Sequence, residues 1–160
     1  MTVSLQALQE DIKMSLEAYR ALMDDFCDLA EIPRCGVLYE RPHFEIDGID
    51  FSLPYIAQPE PGHIAIHADL GPLYDEYSAQ QSIALLDMNF HLFNAPYGAV
   101  LARNPKTENI LLMGAASLGQ ASAATLLSVL SACAAFAHQW RESIATGSAL
   151  APIATTHGQS

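Results

Sequence analysis

The sequence predicts an α+β sandwich of element order α-β-β-β-α-β-β-α, with a mostly antiparallel five-stranded sheet, three helices and a dimeric assembly. Three observations carry that expectation. Apolar residues recur every three or four positions over residues 5–29, then every second position between 37 and 69, and helical spacing returns twice around a second strand pair. Such an order, with turns short enough for hairpins, gives helices laid on an antiparallel sheet. The 160 residues fit one domain, assigned to 1–145, with 146–160 as a disordered Ala/Ser/Thr-rich tail.

The first helix is read from Leu8, Ile12, Leu16, Tyr19, Leu22, Met23, Phe26 and Leu29, which form one stripe, with Glu10, Asp11, Lys13, Glu17, Arg20, Asp24, Asp25 and Asp28 opposite. Pro33 closes the pattern. Three strand runs follow: Phe44 and Ile46; Ile49, Phe51, Leu53 and Tyr55; Ile64, Ile66 and Ala68. Asp47-Gly48 joins the first two as a tight hairpin, since both turn residues need positive φ. Pro59-Glu60-Pro61-Gly62 separates the second from the third. Pro54 has no N–H for a ladder, so the second strand is expected at an edge or with a bulge.

After Gly71-Pro72, Ser78 is expected to cap a helix through Phe93 with two apolar stripes, Ile83–Leu86–Phe90–Phe93 and Leu85–Met88–Leu92. One stripe can lie on the sheet, and the other invites a second subunit. Residues 97–103 and 109–115 pair around Asn104-Pro105-Lys106-Thr107, and Ile110-Leu111-Leu112-Met113 is apolar on both faces, as an interior strand requires. The last helix, from Ser122 to about Glu142, carries Leu126, Leu127, Leu130, Ala134 and Ala137 among many small residues. Residues 109–140 lack Asp, Glu, Lys and Arg, but Gly, Ser, Thr and Ala dilute them, so a buried helix is expected and no membrane insertion.

Eighteen acids face seven Lys and Arg, and the excess is uneven: residues 1–80 hold 15 acids and 4 bases, residues 81–160 three of each. A surface this negative repels phosphate backbones and anionic lipid, which excludes nucleic acid as a partner and favours a basic polypeptide. Cys27, Cys35 and Cys133 are odd in number and show no CxxC spacing, which fits a reduced cytoplasm. The first residues lack a basic segment followed by an apolar core, so no secretory leader is expected.

Catalytic and metal chemistry find no support. His63 and His67 would stand about 13 Å apart along a strand, too far to share an ion whose ligands lie within about 2 Å. His91 and His138 fall on helices where a solvated role suffices. No GxSxG, Walker loop, GxGxxG or HExxH occurs, and no nucleophile signature surrounds a cysteine. Asp24, Asp25, Asp28 and Glu31 read as a solvated helix face. The expectation is therefore no enzyme, no cofactor and no metal.

Several strings resemble the CesT (Tir chaperone) family of class I type III secretion chaperones. Residues 44–53 (FEIDGIDFSL) are similar to its first hairpin, Ile64 to Leu73 to its strand followed by Leu-Gly and Pro, and Leu85-Leu86-Asp87-Met88-Asn89-Phe90 to its second helix. Residues 98–103 with Lys106-Thr107-Glu108 resemble its fourth strand and turn, and Trp140-Arg141 falls where its last helix often ends in an aromatic. Two features depart from the pattern: a longer first helix and the Ala-rich tail. The resemblance implies a cytoplasmic homodimer that holds the N-terminal segment of a secreted effector in extended form and keeps it fit for export. For client contact it points to Tyr19, Phe26, Phe44, Ile46, Phe51 and Leu53, and for the dimer to Leu85, Met88, Leu92, Val100 and Ala102. The alternatives are a YbjN-like protein-binding domain of the same architecture with a non-secretion partner, and a Cys/His hydrolase.

Overall fold

The computed structural model describes residues 4–34, 37–59, 62–92, 94 and 98–146. The expected tail falls beyond them after Thr146, and so do Cys35, Phe93 and Tyr97.

Helix α1 spans Leu5–Leu29, as its stripe requires. Its end is set before Pro33: Glu31 takes φ 57°, Ile32 N–H donates to Cys27 O at 2.8 Å and Glu31 N–H to Asp28 O at 3.4 Å. That is a Schellman closure with Glu31 in the left-handed position usually held by glycine. A four-residue helix α2, Val37–Glu40, follows; no period announces it.

Strands β1 (His43–Ile46) and β2 (Ile49–Ser52) form the expected hairpin, with Asp47 at φ 51° and Gly48 at φ 76°. Pro54 acts differently from expectation. It ends β2 at Ser52, and a two-residue strand β3, Tyr55–Ile56, resumes against β4, His63–Pro72. The carbonyl of Pro54 still accepts from Ala65 N–H at 3.0 Å. The expected five strands thus become six, and β2 lies inside the sheet: the order is β1-β2-β4-β6-β5, with β3 on β4 off that path. Strands β5 (Val100–Arg103) and β6 (Asn109–Ser117) close the other side. Every pairing is antiparallel.

A 3-10 turn, Asp75–Tyr77, leads into α3, Ser78–Leu92, so Ser78 is a helical residue whose carbonyl accepts from Ser82 Oγ, not a cap. Helix α4, Ala123–Thr146, is capped reciprocally: Thr125 N–H donates to Ser122 Oγ at 3.2 Å and Ser122 N–H to Thr125 Oγ1 at 2.9 Å.

Burial alternates along β4, with Ile64, Ile66, Ala68 and Leu70 inward. Helices α1 and α4 pack against each other, and α4 lies over β4. Tyr19, Met23 and Phe26 from α1 meet Leu126, Leu130, Ala134, Ala137 and Trp140 from α4 in one apolar cluster with the inner face of the sheet. Burying each large apolar chain contributes about 1.5–3 kcal/mol. By length and composition, Ala123–Ser143 could cross a membrane, with mean hydropathy 1.2. That hydropathy owes much to exposed alanines such as Ala124, Ala132 and Ala135, while the large side chains turn onto the sheet.

Candidate functional site

One inward row crosses the sheet: Phe44, Phe51, Ala68, Leu112 and Leu101 are successive partners from β1 to β5. At the β1 end the row carries an aromatic stack. Phe26 lies 5.3 Å from Phe44, and Phe44 lies 6.4 Å from Phe51, ring centre to ring centre. Nearby, Tyr19 packs 5.5 Å from Tyr55 and its hydroxyl donates to Leu53 O at 2.9 Å. Burial, then the neighbouring Cys27, push the Tyr19 hydroxyl up to about 12.

Of the six residues expected to meet a client, Tyr19, Phe26, Phe51 and Leu53 are therefore core, and only Phe44 and Ile46 remain half-buried. These two stand on β1, an edge of the sheet. In a two-residue hairpin the flanking pair, Ile46 and Ile49, exchanges both backbone bonds. By alternation, Phe44 also bonds to β2, while the peptide groups of His43 and Glu45 point outward. His43 N–H turns back to Arg41 O at 2.7 Å, and the Glu45 peptide groups find no partner among the described residues. The β1 edge is thus open, with acidic Glu45, Asp47 and Asp50 exposed on or beside it.

Polar contacts tie down the turn beside this edge and the segment between α1 and β1. His138 Nε2 lies 2.6 Å from Asp47 O, tying α4 to the β1–β2 turn. Arg34 donates to both carboxylate oxygens of Asp28, Tyr39 donates to Asp24, and Arg20 lies 5.6 Å over the Tyr39 ring. The bond to Asp24 raises the Tyr39 hydroxyl above its ordinary value, and the bond to Asp28 does the same for the Arg34 guanidinium.

At the opposite side of the sheet, α3 lies beside β5. Here the two stripes take sides opposite to the dimer expectation. Leu85, Met88 and Leu92 are buried in the chain's own core, whereas Ile83, Leu86 and Phe90 are 61%, 69% and 80% exposed. Val100 is also exposed, and Ala102 is half-buried. Asn89, part of the string that resembles the family's second helix but given no role there, shares a helix face with Leu85 and Leu92. Its Nδ2 donates to Leu101 O at 3.0 Å, and its Oδ1 accepts from Leu101 N–H at 2.6 Å. A polar residue inside an apolar stripe must find a partner when buried, and the Leu101 backbone supplies it.

No group of three or more His, Cys, Asp and Glu comes together among the described residues. His63 and His67 sit half-buried on the outer face of β4, and burial, then His43, lower the His67 pKa. Cys27 is buried, and burial pushes the Cys133 thiol up to about 11, far from a thiolate nucleophile at neutral pH.

Comparison with known proteins agrees with this architecture. A chain of a solved complex described as "Structure of the HopA1-SchA Chaperone-Effector Complex" superposes with a TM-score of 0.62 at 21% identity, covering 81% of this chain and 97% of that one, which shows the same fold. No curated protein matches in sequence. The sequence model of the Tir chaperone protein (CesT) family matches residues 43–141, from the first residue of β1 to Arg141 of α4, leaving α1 outside the match. The match spans more than half of the 160 residues, and the chain belongs to the Tir chaperone protein (CesT) family.

Proposed function

We propose that this chain is a non-catalytic type III secretion chaperone that takes up the N-terminal segment of an effector in extended form and keeps it soluble and fit for export. The observation that carries this reading is the open β1 edge: the Glu45 peptide groups point outward without a partner among the described residues, beside half-buried Phe44 and Ile46. An added strand would gain main-chain bonds there, and its alternate side chains would meet those two apolar residues. The surrounding acids favour a basic guest. Of the other four residues expected at the client, Phe26 and Phe51 pack against Phe44 from beneath, and Tyr19 and Leu53 lie in the core beside them.

The same reading gives the exposed stripe of α3 to a second copy, with Ile83, Leu86 and Phe90 joined by Val100 and Ala102, because one chain leaves these large side chains uncovered. Leu85, Met88 and Leu92 would support that helix from within. Membership of the family and the fold shared with a chain of a chaperone–effector complex support the assignment.

Co-expression with proteins of the source bacterium, followed by mass spectrometry, tests it. A secreted protein is expected to co-purify through its N-terminal segment. Glu45→Pro removes an outward N–H and a carboxylate but no ladder bond, so it should leave the fold intact and weaken capture about tenfold or more, whereas Glu45→Gln, which removes the charge alone, should weaken it less. Full capture by Glu45→Pro would defeat strand addition, and recovery of a non-secreted partner would favour the YbjN-like alternative.

A further inference from the structure

The geometry assigns Asn89 the task of closing the β5 edge, so that strand addition is confined to β1. This rests on the strand-addition reading above and adds a residue that decides which of two edges is used. Asn104 N–H donates to Asn109 O at 2.8 Å across the β5–β6 turn, which makes that pair a bonded one. Alternation from it makes Ala102–Leu111 and Val100–Met113 bonded pairs and turns the peptide groups of Leu101 and Arg103 away from β6. Without α3, β5 would offer a free edge much as β1 does.

Asn89 removes that offer at its middle. A primary amide carries a carbonyl and two N–H groups, one of them on the carbonyl's side, and Asn89 sets Oδ1 and Nδ2 against the N–H and C=O of Leu101 as a facing strand residue would. Because the Leu101 N–H can only donate, Oδ1 must face it, which fixes the orientation of the amide. The side chain therefore stands where one residue of an incoming strand would stand. The remaining outward group, Arg103, adjoins the turn, where its guanidinium donates to Glu108 at 2.5 Å. With both groups of Leu101 taken, the four-residue β5 leaves only Arg103 to a guest, whereas β1 keeps both groups of Glu45 and the outward carbonyl of His43. Aspartate would supply only the acceptor, and leucine neither group.

The test uses the full chain and a synthetic peptide of alternating threonine and valine, with lysine at each end and a central benzophenone. Photo-crosslinks are mapped by mass spectrometry, and amide exchange at Leu101 is followed by NMR. The native chain should be labelled at His43–Ile46 and not at Val100–Arg103. Asn89→Ala should gain label at Val100–Arg103, with Leu101 exchanging about tenfold faster or more. Asn89→Ser, too short to span both groups of Leu101, serves if Asn89→Ala does not fold: Leu101 should again exchange faster and β5 gain label. Failure of both variants to gain label at β5, or a native chain labelled equally at both edges, overturns the role of Asn89. A native chain labelled at neither edge overturns the strand-addition reading instead.

Discussion

Trp140 is buried, yet its indole Nε1 has no hydrogen-bond partner among the described residues. An unmatched buried donor costs free energy that a purely apolar ring would not. Trp140→Phe should therefore lower stability by no more than about 1 kcal/mol, whereas Trp140→Ala, which opens a cavity, should cost about 3–5 kcal/mol; urea unfolding measures both. Tyr19 is the converse case, a buried phenol whose hydroxyl is used, on Leu53 O. Its pKa is raised to about 12 from the ordinary 10.0, so the folded chain holds that proton more tightly than the unfolded one. The resulting stabilisation is complete below about pH 10 and is lost as pH climbs towards about 12. Tyr19→Phe should cost about 1 kcal/mol at neutral pH, and its deficit against the native chain should shrink across that alkaline window in a melting series. Both side chains were legible as core-sized, but their hydrogen bonding was not, because it depends on carbonyls distant in sequence.

Elements announced themselves unequally. The hairpin at Asp47-Gly48 could be read directly, since few residue pairs accept two positive φ angles. Helix α1 could be read by period, but its end was credited to Pro33 when Glu31 makes the closure. A non-glycine residue there is strained, so Glu31→Gly should raise stability by about 0.5–1 kcal/mol in thermal unfolding. The sequence could not say which stripe of α3 turns inward, for both are comparably apolar; the decision falls to Asn89 and the strand it bonds. Nor could it foresee that Pro54 would divide a strand inside the sheet, where the pairing of Pro54 O with Ala65 keeps the two pieces in line.

At the scale of the molecule, the chain separates an acidic, open-edged end around β1 from an apolar end around α3. The two ends predict different responses to charge. If the proposed pairing through α3 holds, Phe90→Asp places a carboxylate on that exposed surface, so the chain should stay folded while sedimentation shows monomer where the native chain shows dimer; Leu85→Asp buries the charge and should unfold the chain at a cost of several kcal/mol. A Phe90→Asp dimer of unchanged mass would take α3 out of the interface. The contact between His138 and Asp47 joins residues 91 positions apart, and thereby links the last helix to the first turn of the sheet. During synthesis, the hairpin leaves the ribosome long before the residue that secures it. The proposed guest edge thus gains its tie to α4 only after residue 138 has been made, well after its own strands.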